Sequence, residues 1–61
     1  MAKFQHRQRV KIVDASSPYR GQTGTVDWLN GQGGRYFYGI RFPGTGQVIK
    51  FPEGQLQAIG P

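Results

Sequence analysis

The side chains best suited to bind a ligand in this chain are basic and aromatic. Eight lysines and arginines stand against three acids, which gives a formal net charge of +5. Cations neutralise phosphates and flat rings stack on nucleobases, so a surface that interleaves both is typical of proteins that bind single-stranded nucleic acid. The predicted nucleic-acid-binding residues combine the two types, on strand-like segments and in one loop: Lys11, Tyr19, Arg20, Phe37, Arg41 and Lys50.

Residues for acid–base catalysis or metal binding are scarce by comparison. Acid–base catalysis needs a carboxylate pair or a histidine with an orienting partner, and a metal site needs several His, Cys or acidic ligands. The chain has one histidine, His6, no cysteine, and three scattered acids, Asp14, Asp27 and Glu53. These residues predict no catalytic group, no metal site and no cofactor.

Length and apolar patterning limit the class of protein. A chain of 61 residues forms one domain and buries only about 60% of the surface that its unfolded form exposes, so regular strand pairing, a ligand or self-association would add useful stability. No apolar run approaches the roughly 20 residues of a membrane span, and MAKFQHRQRV lacks the apolar core of a signal peptide. We expect a cytoplasmic protein with a basic, partly flexible N-terminal arm (residues 1–8) and a small β-barrel domain (residues 9–61).

Short strands separated by glycine-rich turns form the framework for these side chains. RVKIV (9–13), TVDWLN (25–30) and RYFYGIRF (35–42) alternate in polarity at a period of two, as half-buried strands do. NGQGG and PGTG are turn sequences, and QVIKF (47–51) and QAI (57–59) are two further strands. Pro52 ends the fourth strand, so PEGQL is predicted to form a single 3₁₀ turn.

This pattern predicts an all-β fold, a five-stranded and strongly bent antiparallel barrel whose closure removes exposed sheet edges. Phe37, Gly39 and Arg41 point away from the interior, where the outward faces of neighbouring strands can form one basic aromatic patch. The predicted core contains Val10, Ile12, Val26, Tyr38, Ile40, Phe42, Leu56 and Ile59, with Trp28 and one of Val48 or Ile49.

The segment VKIVDASSPYRGQTGTV (10–26) resembles the KOW motif of ribosomal proteins and transcription-elongation factors. In that motif a strand of alternating apolar residues leads through a loop to a glycine, two further residues and Gly-x-Val, which Gly21, Gly24 and Val26 match. The whole chain looks like the Src-homology-3-like small barrel of those domains. The resemblance implies a turn between two barrel strands, and many activities occur on such barrels.

A second resemblance, from residue 21 to residue 59, is to the plasmid-borne type II dihydrofolate reductases. RGQTGTVDW, GQVIKFP and QLQAI carry it. Members of that family assemble as tetramers around a central pore that binds NADPH and dihydrofolate. The resemblance implies an NADPH-dependent oxidoreductase whose pore would be lined by Val48, Ile49, Lys50 and Phe51.

A third resemblance implies a different partner, an acidic protein. YRGQTGTV and IKFPEGQLQAI are similar to small basic barrels that serve as accessory subunits of electron-transfer complexes and dock acidic carriers. A positive surface attracts acidic protein and phosphate alike. The leading prediction is a non-enzymatic module that binds RNA or single-stranded DNA, and the alternatives are the oxidoreductase and the docking subunit.

Overall fold

The computed structural model describes residues 1–60 and has an all-β fold in which five strands form a single antiparallel sheet. The strand order is β4-β3-β2-β1-β5, and a 3₁₀ turn, Glu53–Gln55, connects the two edge strands. No helix within residues 1–60 is long and apolar enough to cross a membrane. The strands are β1 (Arg9–Ile12), β2 (Thr23–Gln32), β3 (Arg35–Arg41), β4 (Val48–Pro52) and β5 (Leu56–Ala58).

The five strands, the antiparallel pairing and the 3₁₀ turn were all predicted from the sequence, and the structure confirms them. The closed barrel is not confirmed, because β4 and β5 remain the two edges of an open sheet. The β2–β3 hairpin turns at Gly33 and Gly34, whose φ angles are +61° and +81°. Left-handed angles at both central residues match the right-handed twist of the flanking strands, which explains two adjacent glycines at this turn.

The core lies on one face of the sheet and draws side chains from every strand. Most of the predicted core is confirmed, whereas Ile59 is only half-buried and Ile49 packs against the core from its edge. The prediction of Trp28 as a core residue is wrong, since 39% of it is exposed. The buried apolar residues are Phe4, Val10, Ile12, Val26, Tyr38, Ile40, Phe42, Phe51 and Leu56.

Residues 1–8, predicted as an arm, supply one of those core side chains. Phe4 is 1% exposed and packs edge-on against Tyr38, with ring centroids 5.3 Å apart. The N–H of Arg7 donates to the Val26 carbonyl at 2.8 Å, and the N–H of Val26 donates to the Gln8 carbonyl at 2.9 Å. These bonds continue the pairing of β2 beyond the start of β1.

The two glycines of the KOW-like segment, Gly21 and Gly24, are required for different structural reasons. Gly21 has a φ of +87°, a backbone angle that residues with a side chain rarely adopt. Its N–H donates to the Ile12 carbonyl at 2.8 Å and so closes the loop between β1 and β2. Gly24 is needed for close packing, because a Cβ there would lie 2.5 Å from Cγ2 of Ile40. Both glycines therefore position β2 against its neighbours.

A register shift in β2 decides which face Trp28 occupies. Val26 pairs with Ile40, and Trp28 pairs with the adjacent residue of β3, Gly39, so Asp27 is an extra residue of β2 that has no partner in the pairing. A bulge of this kind reverses the side-chain alternation that follows it. Val26 therefore points into the core, while Trp28 points to the opposite side.

Candidate nucleic-acid interface

The side of the sheet that faces away from the core is here called the outer face. Residues directly opposite each other in an antiparallel pair lie on the same face, so the register gives its rows. One row joins Arg9, Thr25, Arg41 and Val48 across β1 to β4, and a second joins Trp28, Gly39 and Lys50 across β2 to β4. The outer face also includes Lys11, Thr23, Arg35 and Phe37.

Trp28 lies directly on the backbone of Gly39. A Cβ on Gly39 would be only 2.0 Å from Nε1 of Trp28 and 2.3 Å from its Cε2, so the pyrrole part of the indole occupies the place of a side chain. Gly39 is buried beneath it, whereas the indole itself remains substantially exposed. An aromatic ring held against the sheet with an open surface is what a stacking nucleobase requires.

Phe37 and Lys50 complete an aromatic platform, defined as Trp28, Phe37 and Lys50. The ammonium Nζ of Lys50 lies 5.1 Å from the centroid of the Phe37 ring, within the range of a cation–π contact. Lys50 pairs with Gly39 in the register, so it flanks the same glycine that supports Trp28. The platform therefore combines two rings with a cation, the combination expected for binding bases and phosphates together.

Arg41 lies on the outer face as predicted, but its guanidinium already has protein partners. Its Nη2 and Nε donate to Oδ1 of Asp27 at 3.0 and 3.2 Å, and its Nη1 donates to the Gly46 carbonyl at 3.0 Å. Arg41 thus links the bulge of β2 to the β3–β4 turn. Its charge is compensated by Asp27, so it contributes less to the attraction of phosphate than an unpaired cation would.

Tyr19 is not brought to the platform. Its ring stacks on Phe42 with centroids 5.4 Å apart and planes at 16°, and it meets Phe51 edge-on at 5.8 Å. These contacts place Tyr19 against the core side of the sheet. Arg20 follows it in the same loop and is exposed, whereas Lys11 lies on the outer face of β1.

The run Val48 to Phe51, implied as pore-lining by the reductase resemblance, is divided between the two faces of β4. Phe51 is 4% exposed and belongs to the core, and Ile49 packs against that core. Val48 and Lys50 point to the outer face. The four side chains therefore do not share one surface of the single chain.

A second polar cluster lies where the N-terminal segment meets the 3₁₀ turn. The Tyr38 hydroxyl donates to Oε2 of Glu53 and accepts hydrogen bonds from the N–H groups of Lys3 and Phe4, at 3.1 and 3.2 Å. Burial and, next, the hydrogen bond to Glu53 raise the pKa of Tyr38. The Tyr38 hydroxyl and then the Lys3 N–H, 2.9 Å from Oε2, lower the pKa of Glu53. This cluster attaches the N-terminus to the sheet.

Trp28 is the binding-site candidate that the sequence prediction missed. The alternation of Val26 and Trp28 indicates a shared inward face, and only the extra residue Asp27 in the pairing with β3 turns the indole outward. One signal was present in the sequence, because an isolated glycine inside a strand often marks the close approach of another group. Gly39 is such a residue.

Comparisons with known protein families, with curated proteins and with solved structures give no match for this chain. Within residues 1–60, no three His, Cys, Asp or Glu side chains come together as a metal site would need.

Proposed function

We propose that this chain is a non-enzymatic binding module for single-stranded nucleic acid, RNA or DNA, and that the outer face is its binding surface. Bases stack on Trp28 and Phe37, while Lys50 contacts phosphate beside them. The observation that carries the proposal is the position of the Trp28 indole, which lies on Gly39 next to Phe37 and Lys50 and is open to solvent.

The charge of the outer face supports an anionic partner. Its strands carry Arg9, Lys11, Arg35, Arg41 and Lys50, and the carboxylate of Asp27 among them is paired with Arg41. Such a field attracts any polyanion, including an acidic carrier protein. The exposed indole of Trp28 and the half-buried ring of Phe37 favour nucleic acid, because each base that stacks on an aromatic side chain contributes about 1 to 3 kcal/mol.

The fold class is also part of the proposal. A five-stranded antiparallel sheet with a 3₁₀ turn before the last strand, and with β1 paired to both β2 and β5, is compatible with a Src-homology-3-like barrel of the KOW type. Gly21 lies in the loop between β1 and β2 and Gly24 is the second residue of β2, positions that fit the turn that the KOW resemblance implies.

The single tryptophan makes the test direct, because all indole fluorescence comes from Trp28. We expect oligo-dT and oligo-U to quench this fluorescence, with an affinity that falls as salt rises. A polyglutamate of similar charge has no rings and should bind more weakly, with little quenching. Binding weaker than about 1 mM at low salt, or binding without salt dependence, would show that the proposal is wrong.

A further inference from the structure

Next to the aromatic platform lies an open groove on the outer face, with a volume of about 590 Å³. Since β2 lies between β1 and β3, Thr23 and Thr25 form its floor. Arg9 stands on one side, and the β3–β4 turn, residues 42–46, stands on the other. The groove is therefore bounded by the guanidinium of Arg9, two hydroxyl groups and the backbone of a turn, and Arg41, whose guanidinium is paired with Asp27, also lines it.

The polar side chains of Arg9, Thr23 and Thr25 in this groove are available to a ligand. The one salt bridge among residues 1–60 joins Arg41 to Asp27, so the Arg9 guanidinium has no described carboxylate within 4.0 Å. The hydroxyls of Thr23 and Thr25 make no hydrogen bond to any residue that the structure describes. A cation flanked by unengaged hydroxyl donors is suited to the oxygens of a phosphodiester.

A second depression, of about 360 Å³, extends the groove toward the platform. It shares Thr25 and Arg41 with the first and adds His6 and Arg7, and it ends at Asp27, the residue before Trp28. Arg7 has a φ of +72°, a backbone angle unusual for a residue with a side chain. Its N–H donates to the Val26 carbonyl at 2.8 Å, and this hydrogen bond holds the backbone of Arg7 beside the bulge.

From these observations we infer that the two depressions form one groove that binds the sugar–phosphate backbone of the strand whose bases stack on the platform. Arg7 and Arg9 contact successive phosphates, and the hydroxyls of Thr23 and Thr25 donate to phosphate oxygens. The inference rests on the proposed function and adds to it a second site, a path for the ligand along β2 and a length for the ligand.

The length follows from the strand. Thr25 pairs with Arg41 and Trp28 pairs with Gly39, so the bulge adds a residue to β2 without adding a pairing step. Thr23 and Trp28 are therefore about four steps apart, roughly 13 Å at about 3.3 Å per residue, which corresponds to about four stacked nucleotides at roughly 3.4 Å each, or fewer when the strand is extended. Affinity for oligo-dT should therefore rise with length up to about three to five nucleotides and then level off.

Arg9→Gln tests the groove, and Lys3→Gln is its matched control. Each variant removes one exposed positive charge, but Lys3 lies at the Tyr38–Glu53 cluster and lines neither depression. For fluorescein-labelled oligo-dT, we expect Arg9→Gln to reduce the slope of log affinity against log salt by about 0.7, the value of one phosphate contact on a single strand. Lys3→Gln should leave the slope unchanged.

An abasic oligonucleotide separates the groove from the platform, because it presents phosphates without bases. Arg9→Gln and Thr25→Val should weaken its binding, whereas Trp28→Ala should leave that binding unchanged and weaken only oligo-dT. If Arg9→Gln matches Lys3→Gln in slope while oligo-dT still quenches Trp28, the groove is not a backbone site and the proposed function stands. Failure of wild-type protein to bind any oligonucleotide at low salt would overturn both.

Discussion

The indole of Trp28 takes the place that a side chain would occupy on Gly39. Because an added Cβ would lie 2.0 Å from Nε1 of Trp28, the ring and any substituent on Gly39 exclude each other. The bulge at Asp27 turns the Trp28 side chain to the outer face, and Gly39, which pairs with Trp28, leaves room for the ring because it has no side chain. Two local features on different strands thus produce one exposed aromatic surface.

Gly39→Ala should displace the indole without unfolding the protein, because the indole is at the surface and can move. We expect the tryptophan emission to shift to longer wavelength as the ring leaves the sheet, and the affinity for oligo-dT to fall. Gly54→Ala is the matched control, since a Cβ there meets no atom within 4 Å and its φ is not in the left-handed region. Unchanged emission in Gly39→Ala would contradict the packing described for Trp28.

Trp28→Ala should weaken oligonucleotide binding by about 1 to 3 kcal/mol, the contribution of one stacked base. The measurement is the fluorescence anisotropy of a labelled oligo-dT, which does not depend on the indole. Trp28→Phe keeps a ring and should recover part of the loss. Leu29→Ala, which truncates the neighbouring exposed apolar residue, should bind like wild type; an equal loss in both alanine variants would argue against stacking.

The strands were predictable because each carries its own signal. Alternation in β1 and β3, the glycines of the hairpin and Pro52 at the end of β4 are local, and the predicted boundaries lie within two residues of those observed. The outward positions of Phe37, Arg41 and Lys50 followed from the same alternation. Local periodicity was therefore sufficient for most of the sheet and for much of its outer face.

The errors arise where pairing between strands overrides local pattern. The bulge in β2 depends on how Asp27 and Trp28 fit against β3, and no spacing within β2 indicates it. Phe4 lies outside any alternating run, so its burial against Tyr38 is visible only in three dimensions. The loop before Gly21 has no regular alternation of polar and apolar residues, so the sequence did not predict that Tyr19 packs on Phe42.

Asp27→Asn should strengthen nucleic-acid binding. The carboxylate is the partner of Arg41 and lies beside the platform, so its removal releases one cation and reduces repulsion of phosphate. We expect a salt slope steeper by about 0.7 if Arg41 then contacts a phosphate. The exposed ion pair contributes at most about 1 kcal/mol, so the fold should persist.

The control for Asp27→Asn is Asp14→Asn, which makes the same change of charge in the loop before β2, where Asp14 accepts a hydrogen bond from Ser16. Asp14→Asn should leave the salt slope as it is in wild type. Equal gains in affinity from the two variants would mean that only net charge matters and that Arg41 has no specific contact.

Tyr38→Phe should destabilise the fold by about 1 to 3 kcal/mol, the cost of leaving buried polar groups without a partner. The change removes the hydroxyl that accepts from the N–H groups of Lys3 and Phe4 and donates to Glu53. Urea denaturation followed by circular dichroism measures the effect. Tyr36→Phe is the control, because the Tyr36 hydroxyl has no hydrogen-bond partner among residues 1–60; equal losses would show that the cluster contributes nothing.

Glu53 should make folding sensitive to acid. Its pKa in the folded protein lies below the ordinary 4.5, first because the Tyr38 hydroxyl donates to it and second because the Lys3 N–H does. A carboxyl whose pKa is lowered by folding adds stability that is fully present above the unfolded pKa and is lost as pH falls through the folded one. The urea midpoint of the wild type should therefore fall as the pH drops below about 4.5.

Glu53→Gln isolates this contribution, because the amide cannot ionise and resembles the protonated acid in shape. At pH 7 the variant should unfold at a lower urea concentration than wild type, since it lacks the charged acceptor for Tyr38 and Lys3. As the pH falls, wild type loses that same interaction, so the two midpoints should converge. Midpoints that stay equally far apart from pH 7 to pH 3 would mean that the difference does not come from ionisation, and that the carboxylate of Glu53 does not hold the N-terminus through its charge.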